Sequence, residues 1–117
     1  MQFDLARLKL LGNLETDEGR QWLLEVVDAY IVDTRARHSQ VMTALDRENP
    51  ALVRALAHQQ KGVSAMLGVE GLAGHFQAIE ECPGDRAVVH AHLSDILEAL
   101  DRVDGEIHVL TASAPSE

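Results

Sequence analysis

The stretch after Asp85 constrains the fold most tightly. Val89, Leu93, Ile96, Leu100, Val103, Ile107 and Leu110 recur there at alternating intervals of four and three. Residues so spaced form one stripe along an α-helix, whereas in a strand they would scatter over both faces. A stripe this long with a seven-residue period is typical of helices packed lengthwise in a bundle. The same spacing recurs upstream in Leu23, Val26, Val27, Tyr30, Val41 and Leu45, and again in Leu72, Phe76 and Ile79. Phe3, Leu5, Leu8 and Leu11 fit a short first helix that stops near Gly12. Aromatic residues are only 3% of the chain, so the core is expected to be aliphatic.

Boundary signals divide this pattern. Thr16 or Asp17 can cap the second stretch, with Glu18 suited to the positive end of a helix dipole. Its polar centre, "VDTRARH", predicts a bend or a split. Asn49 before Pro50 is the clearest start signal, because proline at the first helical position loses no intrahelical bond. The helix it opens is expected to run to Leu67, with Gly68 as a left-handed stop. "EGLAGHFQAIEE" follows, then a "CPGD" turn in which Asp85 caps the last helix. With no strand pattern, repeat or second domain, the expected fold is all-α: an antiparallel four-helix bundle with a short extra N-terminal helix. The bundle is assigned to residues 1–112 and a frayed polar tail to 113–117.

Net charge narrows the partners. A balance of −9 opposes nucleic acid and anionic membrane surfaces, which require clustered Lys and Arg. The single cysteine, Cys82, cannot form an internal disulfide, which fits a reducing cytoplasm. "MQFDLARLKLLGN" has polar residues throughout its apolar pattern and reads as neither signal peptide nor membrane span. The expectation is a cytoplasmic protein, monomeric by default. The initiating Met and polar tail point to a free-standing one.

One helix face invites a chemical reading. In "LVRALAHQQKGVSAMLG", residues 52–68, the face of His58 contains Ala51, Arg54, Ala55, Lys61, Gly62 and Ala65. Leu52, Val53, Leu56, Val63 and Leu67 lie opposite and form the expected core stripe, so His58 should point to solvent. Glycine in a helix interior costs about 1 kcal/mol relative to alanine. At position 62 it suits the close approach of another protein. An imidazole in water is a competent nucleophile for phosphorus, and a phosphorylated one needs the cationic donor that Lys61 can supply.

The segment resembles the histidine-containing phosphotransfer (HPt) domain, whose helix reads approximately H-x-x-K-G-S-S/A-x-x-L-G. Here it stands as "HQQKGVSAMLG", with His58, Lys61, Gly62, Ser64, Leu67 and Gly68 in register. "WLLEVVDAYIVDTRARHSQVMTAL" and "GVEGLAGHFQAIEE" look like the family's flanking helices, so the resemblance covers roughly residues 3 to 110. It implies a four-helix bundle that shuttles phosphoryl groups between aspartates on receiver domains of hybrid kinases and response regulators. His58 would be the phosphorylated residue, Lys61 its charge support, and Gly62 the clearance for the partner. Arg54, Ala55, Gln59, Gly62 and Ala65 are expected in the partner's footprint. No cofactor is expected here, since the receiver carries Mg²⁺. Two positions depart from the pattern. Gln60 falls within the core stripe, where an unpartnered amide costs about 1–3 kcal/mol, so it should find hydrogen-bond partners. Val63 replaces a small polar residue.

Other chemistry is weakly signalled. His90 and His92 lie two apart on a helix and point about 200° apart, so they cannot grip one ion together. No H-E-x-x-H or E-x-x-H motif occurs, and metal ligation is not expected. His75 and His38 read as rim residues, and Trp22, Met42 and Met66 as ordinary bundle residues. Without Walker A, GxGxxG or GxSxG sequences, the chain reads as a phosphocarrier with no kinase activity of its own. The competing reading is a helical interaction module that binds a receiver or kinase without phosphotransfer. Such a module would have no need of the His58, Lys61 and Gly62 set.

Overall fold

Each helix of the computed structural model, which describes residues 2–112, starts or stops on a local signal in the sequence. There are five: α1 (Leu5–Leu11), α2 (Asp17–Asp46), α3 (Pro50–Met66), α4 (Glu70–Glu81) and α5 (Arg86–Leu110). Side-chain oxygens of Asp4, Thr16, Asn49 and Asp85 accept first-turn N–H groups of α1, α2, α3 and α5. Each cap satisfies a donor that the helix itself leaves unpaired. Helix α3 ends in a Schellman motif: Gly68 N donates to Ala65 O at 3.0 Å and Val69 N to Ser64 O at 2.9 Å. Gly68 has φ +78°, and a Cβ there would meet Arg7 Cβ at 2.9 Å. Glycine is required both for the left-handed turn and for the approach of α1.

Helices α2 to α5 pack as a ring, α2 against α3, α3 against α4, α4 against α5 and α5 back on α2. No strand occurs among the described residues. The expected four-helix bundle with an extra N-terminal helix is the observed architecture. Helix α1 is held at one end by Asp4 N donating to Gly68 O at 2.8 Å and by burial of Phe3 and Leu8. The core is aliphatic apart from Phe3, Tyr30 and Phe76. Every member of the α5 stripe is buried except half-buried Leu110. The tail from residue 113 lies outside the described residues.

Two expectations fail for one reason. Helix α2 runs unbroken for 30 residues, with no split at "VDTRARH". And α3 buries Val53, Ala57, Gln60 and Ser64 rather than the whole apolar stripe: Leu56 and Val63 are half-buried, and Leu52 is 44% exposed. The two helices meet through a polar seam. Gln60 Nε2 donates to Thr34 Oγ1 at 2.7 Å, the Thr34 hydroxyl donates to Tyr30 O at 2.7 Å, and Tyr30 Oη lies 2.5 Å from Ser64 Oγ. Arg37 Nε reaches Gln60 Oε1 at 3.5 Å. Both ends of the Gln60 amide are thereby engaged, as expected, and no buried side-chain polar atom among the described residues lacks a partner. Burial is the main cause that raises the Tyr30 phenol above its ordinary pKa, so its proton stays within the seam. Trp22 and Met66 are exposed, at 46% and 61%.

Candidate functional site

With Gln60 and Ser64 turned toward α2, the helical period turns His58 outward. Its side chain is 68% exposed. Arg54, Ala55, Gln59 and Gly62 are exposed beside it, and Ala65 is half-buried. A Cβ built on Gly62 meets nothing within 4 Å. Packing among the described residues therefore does not require glycine there. Hollows of about 480 Å³ around Leu52 and about 470 Å³ around Val109 are lined without His58, which stands on a ridge.

The neighbouring helix completes the site. On α4, Gln77 and Glu80 are three residues apart and face α3 together. Glu80 Oε1 lies 2.7 Å from His58 Nδ1, and Glu80 Oε2 lies 2.5 Å from Lys61 Nζ. Lys61 Nζ also donates to Gln77 Oε1 at 2.9 Å, and Gln77 Nε2 donates to Glu81 Oε1 at 2.7 Å. One carboxylate is shared between an imidazole and an ammonium. Lys61 is accordingly more covered than His58, at 28% side-chain exposure, and it turns toward α4. Arg54, by contrast, has no carboxylate partner among the described residues.

The Lys61 hydrogen bond, ahead of that from His58, holds the Glu80 carboxyl below its ordinary pKa. Glu80 is therefore ionised at neutral pH and can only accept hydrogen bonds. The proton of a neutral His58 ring must then sit on Nδ1, which leaves the lone pair on Nε2. The arrangement is a carboxylate-oriented imidazole with its free nitrogen toward water, the logic by which a buried acid fixes a catalytic histidine's tautomer.

The structure brings together His58 and Lys61, and leaves Arg54, Ala55, Gln59, Gly62 and Ala65 along the same outer side of α3. Sequence reasoning missed Glu80 and Gln77. Both lie within the amphipathic stretch "EGLAGHFQAIEE", read only for its apolar face, and only the register between α3 and α4 gives them a role. Their one signal is the polar pair at a spacing of three beside buried Phe76 and Ile79.

A family model described as the Hpt domain matches residues 25–107, which span most of α2, all of α3 and α4, and nearly all of α5. The chain belongs to the Hpt domain family. No curated protein and no solved structure matches it. Hpt domains carry phosphoryl groups on histidine within phosphorelays and lack kinase activity of their own. Among the described residues no helix is long and apolar enough to cross a membrane.

Proposed function

We propose that this Hpt domain accepts a phosphoryl group on Nε2 of His58 from the aspartyl phosphate of one receiver domain and passes it to the aspartate of another. The observation that carries the reading is the 2.7 Å contact of His58 Nδ1 with Glu80 on an otherwise exposed ring. In the forward step the Nε2 lone pair forms the N–P bond as the P–O bond to the receiver aspartate breaks. The aspartate leaves as a free carboxylate with the bonding electron pair. The ring, now cationic, keeps its Nδ1 proton against Glu80, which offsets the new charge. Lys61 is one turn away and supports the incoming equatorial oxygens.

Arg54, Ala55, Gln59, Gly62 and Ala65 form the docking footprint. Its small side chains let a receiver's active-site rim descend onto the ridge, and Arg54 supplies a cation to an acidic rim. The divalent ion belongs to the receiver, so this chain requires no cofactor for the transfer. It works as a monomer in the cytoplasm, where receivers are found.

The test is incubation with receiver domains carrying a radiolabelled aspartyl phosphate. Label is expected on the wild type and absent from His58→Gln. Label retained on His58→Gln would move the nucleophile elsewhere. Receiver binding that survives His58→Ala, with no labelling of the wild type, would leave an interaction module in place of a carrier.

A further inference from the structure

A pair of imidazoles meets on the other flank of α4. His75 Nδ1 lies 2.9 Å from Nδ1 of His92 on α5. The ring centroids are 5.2 Å apart and the planes are inclined by 53°, so the rings converge by their edges and do not stack. Asp95 is one turn beyond His92 on the same face of α5. A ring nitrogen of each histidine and a carboxylate oxygen of Asp95 lie within 4.8 Å of one another.

A hydrogen bond between the two rings uses one proton and one lone pair. A metal ion uses both lone pairs. Tetrahedral Zn–N bonds of about 2.0–2.1 Å place neighbouring ligand nitrogens about 3.3 Å apart, so the two rings need part by only about 0.4 Å to admit an ion. The two rings are half-buried and preplaced by packed helices, while the exposed Asp95 carboxylate is free to swing the remaining distance. Two imidazoles with one carboxylate suit Zn²⁺ and its first-row neighbours better than Mg²⁺ or Ca²⁺. Three protein ligands leave a coordination position for water.

We propose that His75, His92 and Asp95 form a binding site for a borderline divalent transition metal of the Zn²⁺ class, joining α4 to α5. The site is separate from His58 and stands or falls apart from the phosphotransfer reading.

Chelator-stripped full-length protein titrated with Zn²⁺ in a calorimeter, and with Co²⁺ for its visible absorption, tests this directly. One equivalent is expected to bind, with the Co²⁺ spectrum of a nitrogen- and oxygen-ligated site. Zn²⁺ at a hundredfold excess over Kd should raise Tm by about 11 °C. His75→Ala and His92→Ala should each weaken binding by more than the roughly 10–100-fold that loss of an outer-shell partner costs. Asp95→Asn should weaken it less. His108→Ala removes the imidazole from the exposed Asp28, Asp104 and His108 convergence and should change nothing. Circular dichroism of each variant checks that the helices persist, and His92→Gln replaces any variant that fails this check. Affinity weaker than about 1 mM for the wild type, or unaltered binding by the His75→Ala/His92→Ala double variant, would overturn the site.

Discussion

The two polar faces of α3 are built from similar parts and end differently. Facing α2, Gln60 and Ser64 meet hydroxyls of Thr34 and Tyr30 in a seam where every buried polar atom has a partner. Facing outward, His58 and Lys61 meet Glu80 and Gln77, and one ring nitrogen has no partner among the described residues. Closed networks of the first kind fix register and resist change. The second kind fixes a ring while leaving it one reactive valence. A polar residue on this helix contributes to stability or to chemistry according to whether its neighbours satisfy it completely.

Substitutions that separate the two faces sharpen this contrast. The largest effect is expected from Glu80→Ala, which frees the His58 tautomer. Phosphoryl acceptance in stopped-flow or quench experiments should slow by about 10–100-fold. Its urea midpoint should barely move, because the lost ion pairs are near the surface. Gln60→Ala should do the reverse: about 1–3 kcal/mol of stability lost in urea titration, with transfer by the folded fraction within about twofold. If Gln60→Ala slowed transfer as much as Glu80→Ala does, the faces would not be independent.

Gly62→Gln is expected to separate the effects by sign. A better helix former should stabilise the fold by about 0.5 kcal/mol, since space is open at that position. The same side chain obstructs a docking receiver and should reduce transfer by about tenfold. A variant that transfers as fast as the wild type would remove the clearance role.

The smallest expected effects are in acid, and they fall in two windows. His75 has a native pKa below its ordinary 6.5, chiefly through burial, and His38 is lowered likewise by burial, then Arg35 and His90. The unfolded chain takes those protons first, so stability falls as pH drops through 6.5 toward the native values. Glu80 is lowered from 4.5, chiefly by Lys61. Its contribution is complete above 4.5 and is lost only as pH falls through the lower native pKa. Urea titrations from neutral pH downward should show His75→Gln flattening the first decline and Glu80→Gln the second.

The fold was legible where the determinants were local. The Asn49–Pro50 start, the Gly68 stop and the α5 stripe each act within a turn or two, and the structure places them as the spacing predicts. Legibility ended where a partner on another helix decides. A polar run in α2 looks like a break until Gln60 supplies its complement, and Leu52 looks like core until the seam turns α3. At the site, the short run from His58 to Gly62 carried the outward face, but nothing along α3 discloses Glu80. Likewise, His90 and His92 point apart on one helix, while the ring that meets His92 comes from α4.

The bidentate grip of Glu80 has a consequence for signalling. A phosphoryl group on Nε2 would bring two negative charges within reach of an ammonium already engaged by α4. Lys61 would have two anions to serve and one charge to give. Whatever it yields to the phosphoryl group is withdrawn from the clasp between α3 and α4, so the loaded protein should show faster amide hydrogen exchange along α4 than the unloaded one. A receiver could then distinguish full from empty carriers by the looseness of a helix as well as by the group it bears.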